Sequence, residues 1–285
     1  MVLRPQPQES VLDCTLGLGG HALLLWQRIA PEGALIGLEA DPRNLALARD
    51  RLHEAGDHAR MLHANFRDIA TLGLTPVDIV FADLGLSSPH IDDPQRGFTF
   101  RQEAPLDLRF DPTSGESAGA LIARLTEDEL AEIFRHYGEL YPQARKLGRV
   151  LAGKVFVSTI ELRTAVEAAF GFRAKALLPQ VFQALRIAVN DEIAALTQLL
   201  LIGPTLLKPG GRMAVLSYHS LEDRPVKQTF RALCEPEKDP LTGKIARAAP
   251  FRSLTRKPVR ASEEEVARNP RSRSALLRAI ERLPL

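Results

Sequence analysis

Residues 77–83 read Val-Asp-Ile-Val-Phe-Ala-Asp, an almost unbroken apolar run that reaches a carboxylate, Asp83, and then dissolves into Leu-Gly-Leu-Ser-Ser-Pro89. Such a run is a strand buried on both faces, and a sheet of such strands has to be parallel and covered by helices. Its terminal acid is delivered to the carboxyl edge of the sheet, where open α/β folds place their ligands. The polar stretch that follows, through Phe100 to Arg109, is too specific in composition for a plain connector.

The rest of the N-terminal third agrees with that constraint. β-type runs at Ser10–Thr15, Ala34–Ala40 and Arg60–Ala64 precede Asp78–Leu84, with helical stretches at His21–Ile29 and Pro42–Ala55 between them. Pro42 suits the first turn of a helix. Strand alternating with helix predicts a doubly wound parallel sheet. From Phe98 to Leu178 the strand signal vanishes. Thr126 and Glu129 form a capping box, and 158–169 is a second helical run, so this stretch is expected to be a helical insertion. A long helix is expected from Phe182 to Leu201, then a strand over Arg212–Tyr218 and a helix over Leu221–Cys234. Strands are also expected at Ser253–Pro258 and Ala275–Glu281, the last of which could equally be helix. The expected division is 1–97 with 180–285 for the sheet and 98–179 for the insertion.

Two cysteines, Cys14 and Cys234, lie outside any metal-ligand spacing and fit a reduced chain. No stretch of eighteen apolar residues and no signal-peptide pattern occurs, so a cytoplasmic protein without membrane association is expected. The net charge of +2 conceals an asymmetry: from Lys244 onward eleven Lys and Arg face four Glu. A basic end on an acidic body is a candidate phosphate-facing patch, with a solvated surface as the plain alternative.

Asp13-Cys-Thr-Leu-Gly-Leu-Gly19-Gly20-His21 follows the first strand and opens the first helix, and Glu39 ends the second strand. Glycines admit a ligand close to the backbone, helix N-terminal amides face it, and an acid on the next strand suits ribose hydroxyls. By itself the pattern fits either a dinucleotide or S-adenosylmethionine. Its spacing is not Gly-x-Gly-x-x-Gly, which counts against the pyrophosphate of NAD.

Further blocks occur in order: Phe182-Gln-Ala-Leu-Arg-Ile-Ala-Val-Asn-Asp-Glu192, Pro209-Gly-Gly-Arg212, Ser217-Tyr-His-Ser-Leu-Glu-Asp-Arg224 and Asn269-Pro-Arg-Ser-Arg-Ser274. Together with Gly19-Gly20-His21, Glu39, Phe66 and the Asp83 block, they make the chain resemble the bacterial 16S ribosomal RNA cytosine-N4 methyltransferase family over nearly its whole length. The resemblance implies a Rossmann-like class I methyltransferase sheet with an inserted helical substrate-recognition domain. It also implies S-adenosylmethionine as cofactor, held by Gly19, Gly20, His21, Glu39, Phe66, Asp83 and His90, and no metal. His90 stands where the family carries glutamine, and Ala176-Leu-Leu-Pro-Gln-Val181 replaces a more basic family segment. The implied partner is 16S rRNA in the small ribosomal subunit, with Arg271 and Arg273 on its phosphates and a homodimer as a possible assembly.

A cytosine amino nitrogen is a poor nucleophile, and an acceptor on it would orient its lone pair and take up developing positive charge. Asp83 is placed for that task; its alternative is to hold the cofactor or a backbone amide. The segment His219 to Arg224 is expected mainly to start a helix, with Ser220 as its N-cap and Glu222-Asp223 complementing the dipole, and Asp107 with Arg109 to form an internal ion pair. Asp92-Asp93 lack the further ligands a metal needs. Two rival functions are a DNA amino-methyltransferase, whose Asp/Asn-Pro-Pro-Tyr block is absent, and a non-catalytic rRNA-binding assembly factor.

Overall fold

The computed structural model describes residues 2–284. In chain order the elements are β1 (Ser10–Asp13), α1 (Gly20–Ile29), β2 (Ala34–Glu39), α2 (Pro42–Arg51), β3 (Ala59–His63) and β4 (Val77–Asp83). Helices α3 (Ser88–Asp92), α4 (Ala118–Arg124), α5 (Glu127–His136), α6 (Ala144–Leu151), α7 (Thr159–Phe170), α8 (Ala174–Asn190) and α9 (Glu192–Ile202) follow. The chain continues with β5 (Leu207–Ser217), α10 (Ser220–Leu233), β6 (Glu237–Lys238), β7 (Ile245–Arg247), β8 (Phe251–Ser253), β9 (Val259–Arg260), α11 (Glu263–Arg268) and β10 (Leu276–Arg282).

Two compact units result, one of residues 1–85 and 193–285, the other of 86–192. The first is built on a sheet of order β3-β2-β1-β4-β5-β10-β8, with β9 also on β10. Strands β1 to β5 pair in parallel, and β10 adds antiparallel to β5. The order reverses between β1 and β4, so a crevice opens at the carboxyl ends of these two central strands. Ile79, Val80 and Ala82 are fully buried, as a strand covered on both faces demands. One apolar layer, with Leu25, Ile29, Leu45 and Ile79, packs on one side; another, with Val80, Leu199, Met213 and Phe230, packs on the other.

The ambiguous C-terminal run is a strand, because all but its last residue pair with β5, from Leu276 opposite Ser217 to Glu281 opposite Arg212. Asp41 caps α2 through the Arg43 N–H with Pro42 next to it, and the Thr126–Glu129 capping box opens α5.

The second unit is helical, around Phe134, Leu130, Ile122, Leu147 and Leu185. Its limits differ from those expected of the sequence: residues 86–97 and 180–192 belong with the helices. The reason is packing, since Phe182, Ala184 and Leu185 are part of the helical core and the His90 ring packs on Phe98 and Phe110. The long helix expected through Leu201 is broken at Asp191, whose φ of 50° is left-handed. Just before it, Asn190 accepts the Phe110 N–H and donates to the Leu108 carbonyl, which fixes the helix end in the core.

Candidate functional site

The site lies on the sheet unit, at the carboxyl ends of β1, β2, β4 and β5. The turn after β1 is shaped for a backbone that must pass close to a ligand. Gly19 sits at φ 76°, a conformation that favours glycine, and α1 begins at Gly20. His21 follows in the first turn of that helix with about half of its side chain exposed.

Glu39, at the end of β2, is nearly buried and binds two backbone amides. Its Oε2 accepts from Gly17 at 2.6 Å and its Oε1 from Asp41 at 2.8 Å. It therefore clamps the glycine turn to the tip of β2. Burial pushes its carboxyl up to about 7, against the opposing pull of those amides. Asp13, at the end of β1, is wholly buried. Oδ1 accepts the Thr15 N–H at 3.0 Å, while Oδ2 takes no hydrogen bond. Burial raises this carboxyl to about 6, again against the Thr15 amide. A buried acceptor without a donor is costly unless a ligand supplies one.

Asp83 closes β4. Its N–H donates to Thr15 Oγ1 at 2.6 Å, which ties the tips of β1 and β4 together. Its carboxylate is held from both sides. The Tyr218 hydroxyl donates to Oδ1 at 2.8 Å, and His21 Nε2 lies 3.4 Å from Oδ2. Asp83 lifts the His21 imidazolium above its ordinary range despite partial burial, with Asp13 and Glu265 adding to the effect. Burial first, and the Asp83 charge second, raise the Tyr218 phenol well above its ordinary range. Gly85, at φ 88°, turns the chain away just beyond, and a Cβ there would stand 3.7 Å from the Tyr218 ring.

The segment after β5 departs from expectation in one detail. His219, not Ser220, is the N-cap of α10, and it makes no side-chain cap bond. Instead the buried Glu222 reaches back to accept the Tyr218 N–H at 2.7 Å, while Asp223 pairs with Arg278 on β10. These contacts fix the backbone that carries Tyr218.

Of the residues expected from sequence, Gly19, Gly20, His21, Glu39 and Asp83 come together at this edge. Phe66 follows β3 at the same end, packed against the second apolar layer. Arg271 and Arg273 occupy the turn Pro270–Ser274 that leads into β10. Because Leu276 pairs with Ser217, this turn lies at the carboxyl end of β5, on the same edge as Asp83. His90 belongs to the helical unit. It is buried there, and its Nδ1 accepts the Ser87 N–H at 3.2 Å. Asp107 and Arg109 form the expected ion pair, bidentate at 2.6 and 2.9 Å. Among the described residues no three His, Cys, Asp or Glu converge as metal ligands, and no helix is long and apolar enough to cross a membrane.

Sequence reasoning assigned no role to Asp13, Thr15, Tyr218 or Glu265. Asp13 had a visible signal, an acid at the end of an apolar strand. Tyr218 had none, since its partner is 135 residues away.

A profile of the MraW methylase family matches residues 1–283. Among curated relatives, the "Ribosomal RNA small subunit methyltransferase H" of Anaeromyxobacter sp. (strain Fw109-5) is 46% identical over 298 residues, covering 99% of this chain and 94% of that protein. Proteins of the same name from Syntrophotalea carbinolica and Thermomicrobium roseum are 44% and 43% identical, with 99% of this chain and 94% and 90% of theirs covered.

Proposed function

The chain belongs to the MraW methylase family, and we propose that it transfers a methyl group from S-adenosylmethionine to N4 of a cytidine in small-subunit ribosomal RNA, in the cytoplasm. The observation that carries this reading is the Asp83 carboxylate, fixed between Tyr218 and His21 beside the glycine turn.

The residues present fit the cofactor. Gly19 and Gly20 leave the turn without side chains, Glu39 offers ribose hydroxyls an acceptor, and the orphaned Asp13 Oδ2 suits an ammonium. Phe66 offers an apolar surface at the end of β3. S-adenosylmethionine supplies a methyl group already activated as a sulfonium, so the protein's work is placement and charge stabilisation.

Asp83 accepts a hydrogen bond from the cytosine amino group, which holds the nitrogen lone pair outward and offsets the positive charge that develops on it. Tyr218 and His21 stop the carboxylate from rotating. Their bonds occupy one lone pair on each oxygen and leave others for substrate. Arg271 and Arg273 bind RNA phosphates at the same edge, and the helical unit recognises the RNA around the target. His90 contributes through the fold of the segment after Asp83, by packing on Phe98 and Phe110.

The test is incubation of the purified chain with unmethylated small subunits and S-adenosylmethionine, followed by nucleoside mass spectrometry of the RNA. N4-methylcytidine is the expected product. Its absence from a preparation that binds cofactor would sink the assignment.

A further inference from the structure

The helical unit carries a cationic surface to which nothing above assigns a contact. Helix α6, Ala-Arg-Lys-Leu-Gly-Arg-Val-Leu, has three charged residues, Arg145, Lys146 and Arg149, all basic and all exposed. Its apolar positions Ala144, Leu147 and Leu151 face the core. Arg145 and Arg149 are four apart and Lys146 and Arg149 three apart, so the cations share one outward stripe. Lys146 reaches the end of α7. Its Nζ donates to the Ala169 carbonyl at 2.6 Å and lies 4.7 Å from the centre of the Phe170 ring. That contact joins α6 to the corner where the chain turns into α8, and the corner carries Phe172, Arg173 and Lys175.

Two features of this corner ask for a partner. Phe172 is 91% exposed, and its only ring contact among the described residues is the Arg173 guanidinium, 5.7 Å from its centre. Among the described residues Arg145, Arg149, Arg173 and Lys175 pair with no carboxylate. From Leu140 to Ile160 and from Ala168 to Asn190 the sequence contains no Asp or Glu. Elsewhere in this unit Arg124 pairs with Glu116, Arg135 with Glu132 and Arg163 with Glu167, whereas Arg101 and Lys154 are exposed and stand singly among the described residues. Unneutralised cations beside a bare aromatic ring match a single-stranded polynucleotide, which offers phosphates to the first and base faces to the second. The buried Gly148 of α6 packs against the Glu127 carbonyl oxygen, which sets α6 beside the acidic first turn of α5.

We propose that this surface binds single-stranded RNA, with Arg145, Arg149 and Lys175 on its phosphates and Phe172 stacked on a base. The inference rests on the small-subunit RNA reading and locates a contact region that the helical unit uses for it.

The experiment compares the full-length protein with an Arg145→Gln/Arg149→Gln/Lys175→Gln triple variant and with Phe172→Leu and Phe172→Trp. Lys146 is left in place because it holds the end of α7. Affinity for a short fluorescein-labelled single-stranded RNA is measured by anisotropy over a range of salt, with thermal unfolding as a check on the fold. The triple variant should make the negative slope of log K against log salt shallower by about 2, since each single-strand phosphate contact contributes roughly −0.7. Phe172→Leu should weaken binding about tenfold without changing that slope, and Phe172→Trp should restore it. Unchanged affinity and slope in the triple variant overturn the proposal, as does capture of anionic lipid vesicles through this patch with RNA binding untouched. Methylation of small subunits is followed in the same preparations. A wild-type protein that methylates, beside variants that bind RNA normally, removes the patch and leaves the function standing. A wild-type protein that does not methylate removes the function instead.

Discussion

The Tyr218 hydroxyl donates to Asp83 Oδ1 at 2.8 Å, joining the tips of two adjacent parallel strands through a single side-chain pair. The bond restrains the carboxylate that we propose accepts from the cytosine amino group. Tyr218→Phe removes a bond worth about 1 kcal/mol and leaves the ring in place. Single-turnover methylation should slow by about fivefold while cofactor affinity is unchanged. A rate equal to wild type would show that His21 and the strand geometry hold Asp83 without Tyr218.

Asp83→Asn preserves shape and removes charge. Turnover at saturating cofactor should fall by about 10²–10⁴-fold, the scale of a positioned acid–base group. Full recovery of the rate at high S-adenosylmethionine would instead make Asp83 a cofactor ligand.

Glu39 makes a pH-dependent prediction. With its carboxyl at about 7, the charged form proposed to accept ribose hydroxyls is filled only as pH rises past neutrality. Calorimetric affinity for S-adenosylmethionine should therefore increase from pH 6 to pH 8, and the increase should be absent in Glu39→Gln. Glu39→Ala should cost roughly 1.5–3 kcal/mol of binding, the range for a charged hydrogen bond. Equal affinity across that pH range in the wild type would refute the role.

Asp13 is a test of stability. Folding raises its carboxyl to about 6, so the folded chain holds this proton more tightly than the unfolded chain does. The resulting stabilisation is complete below the ordinary carboxylate range and is lost as pH rises through about 6. Asp13→Asn keeps an acceptor for the Thr15 amide and removes the buried charge. The variant should melt several degrees above wild type at pH 8 and at the same temperature at pH 4, a gap of up to about 3 kcal/mol for a two-unit shift. Calorimetry at both pH values measures it, and a variant that melts lower at pH 8 would contradict the argument.

Arg271→Ser with Arg273→Ser should weaken RNA binding and flatten its salt dependence, with cofactor affinity unchanged. An unaltered salt slope would return both arginines to the solvated surface.

The parallel core was legible because buried strands such as β4 announce themselves as apolar runs, and their last residues, Glu39 and Asp83, are then placed by topology alone. Local chemistry was equally readable where both partners are close in sequence, as with Thr126 and Glu129 or Asp107 and Arg109. What escaped was set by distant packing. The kink at Asp191 depends on Asn190 finding Leu108 and Phe110, some eighty residues back. The limits of the helical unit depend on which core Phe182 and Leu185 join, and a helical periodicity is the same in either. Tyr218 could not be matched to Asp83 until β5 was known to lie beside β4.

The antiparallel docking of β10 on β5 gives the molecule a front and a back for the experimenter. The strand enters beside Ser217 and leaves beside Leu207, where the Arg282 guanidinium donates to the Leu207 carbonyl. A fluorophore or affinity tag joined after β10 emerges at the rim opposite Asp83 and the Arg271–Arg273 turn. The sheet unit can thus be tethered by that end to a surface with the Asp83 rim facing solution, whereas the same group placed in the 270–274 turn would sit on the rim proposed to meet RNA.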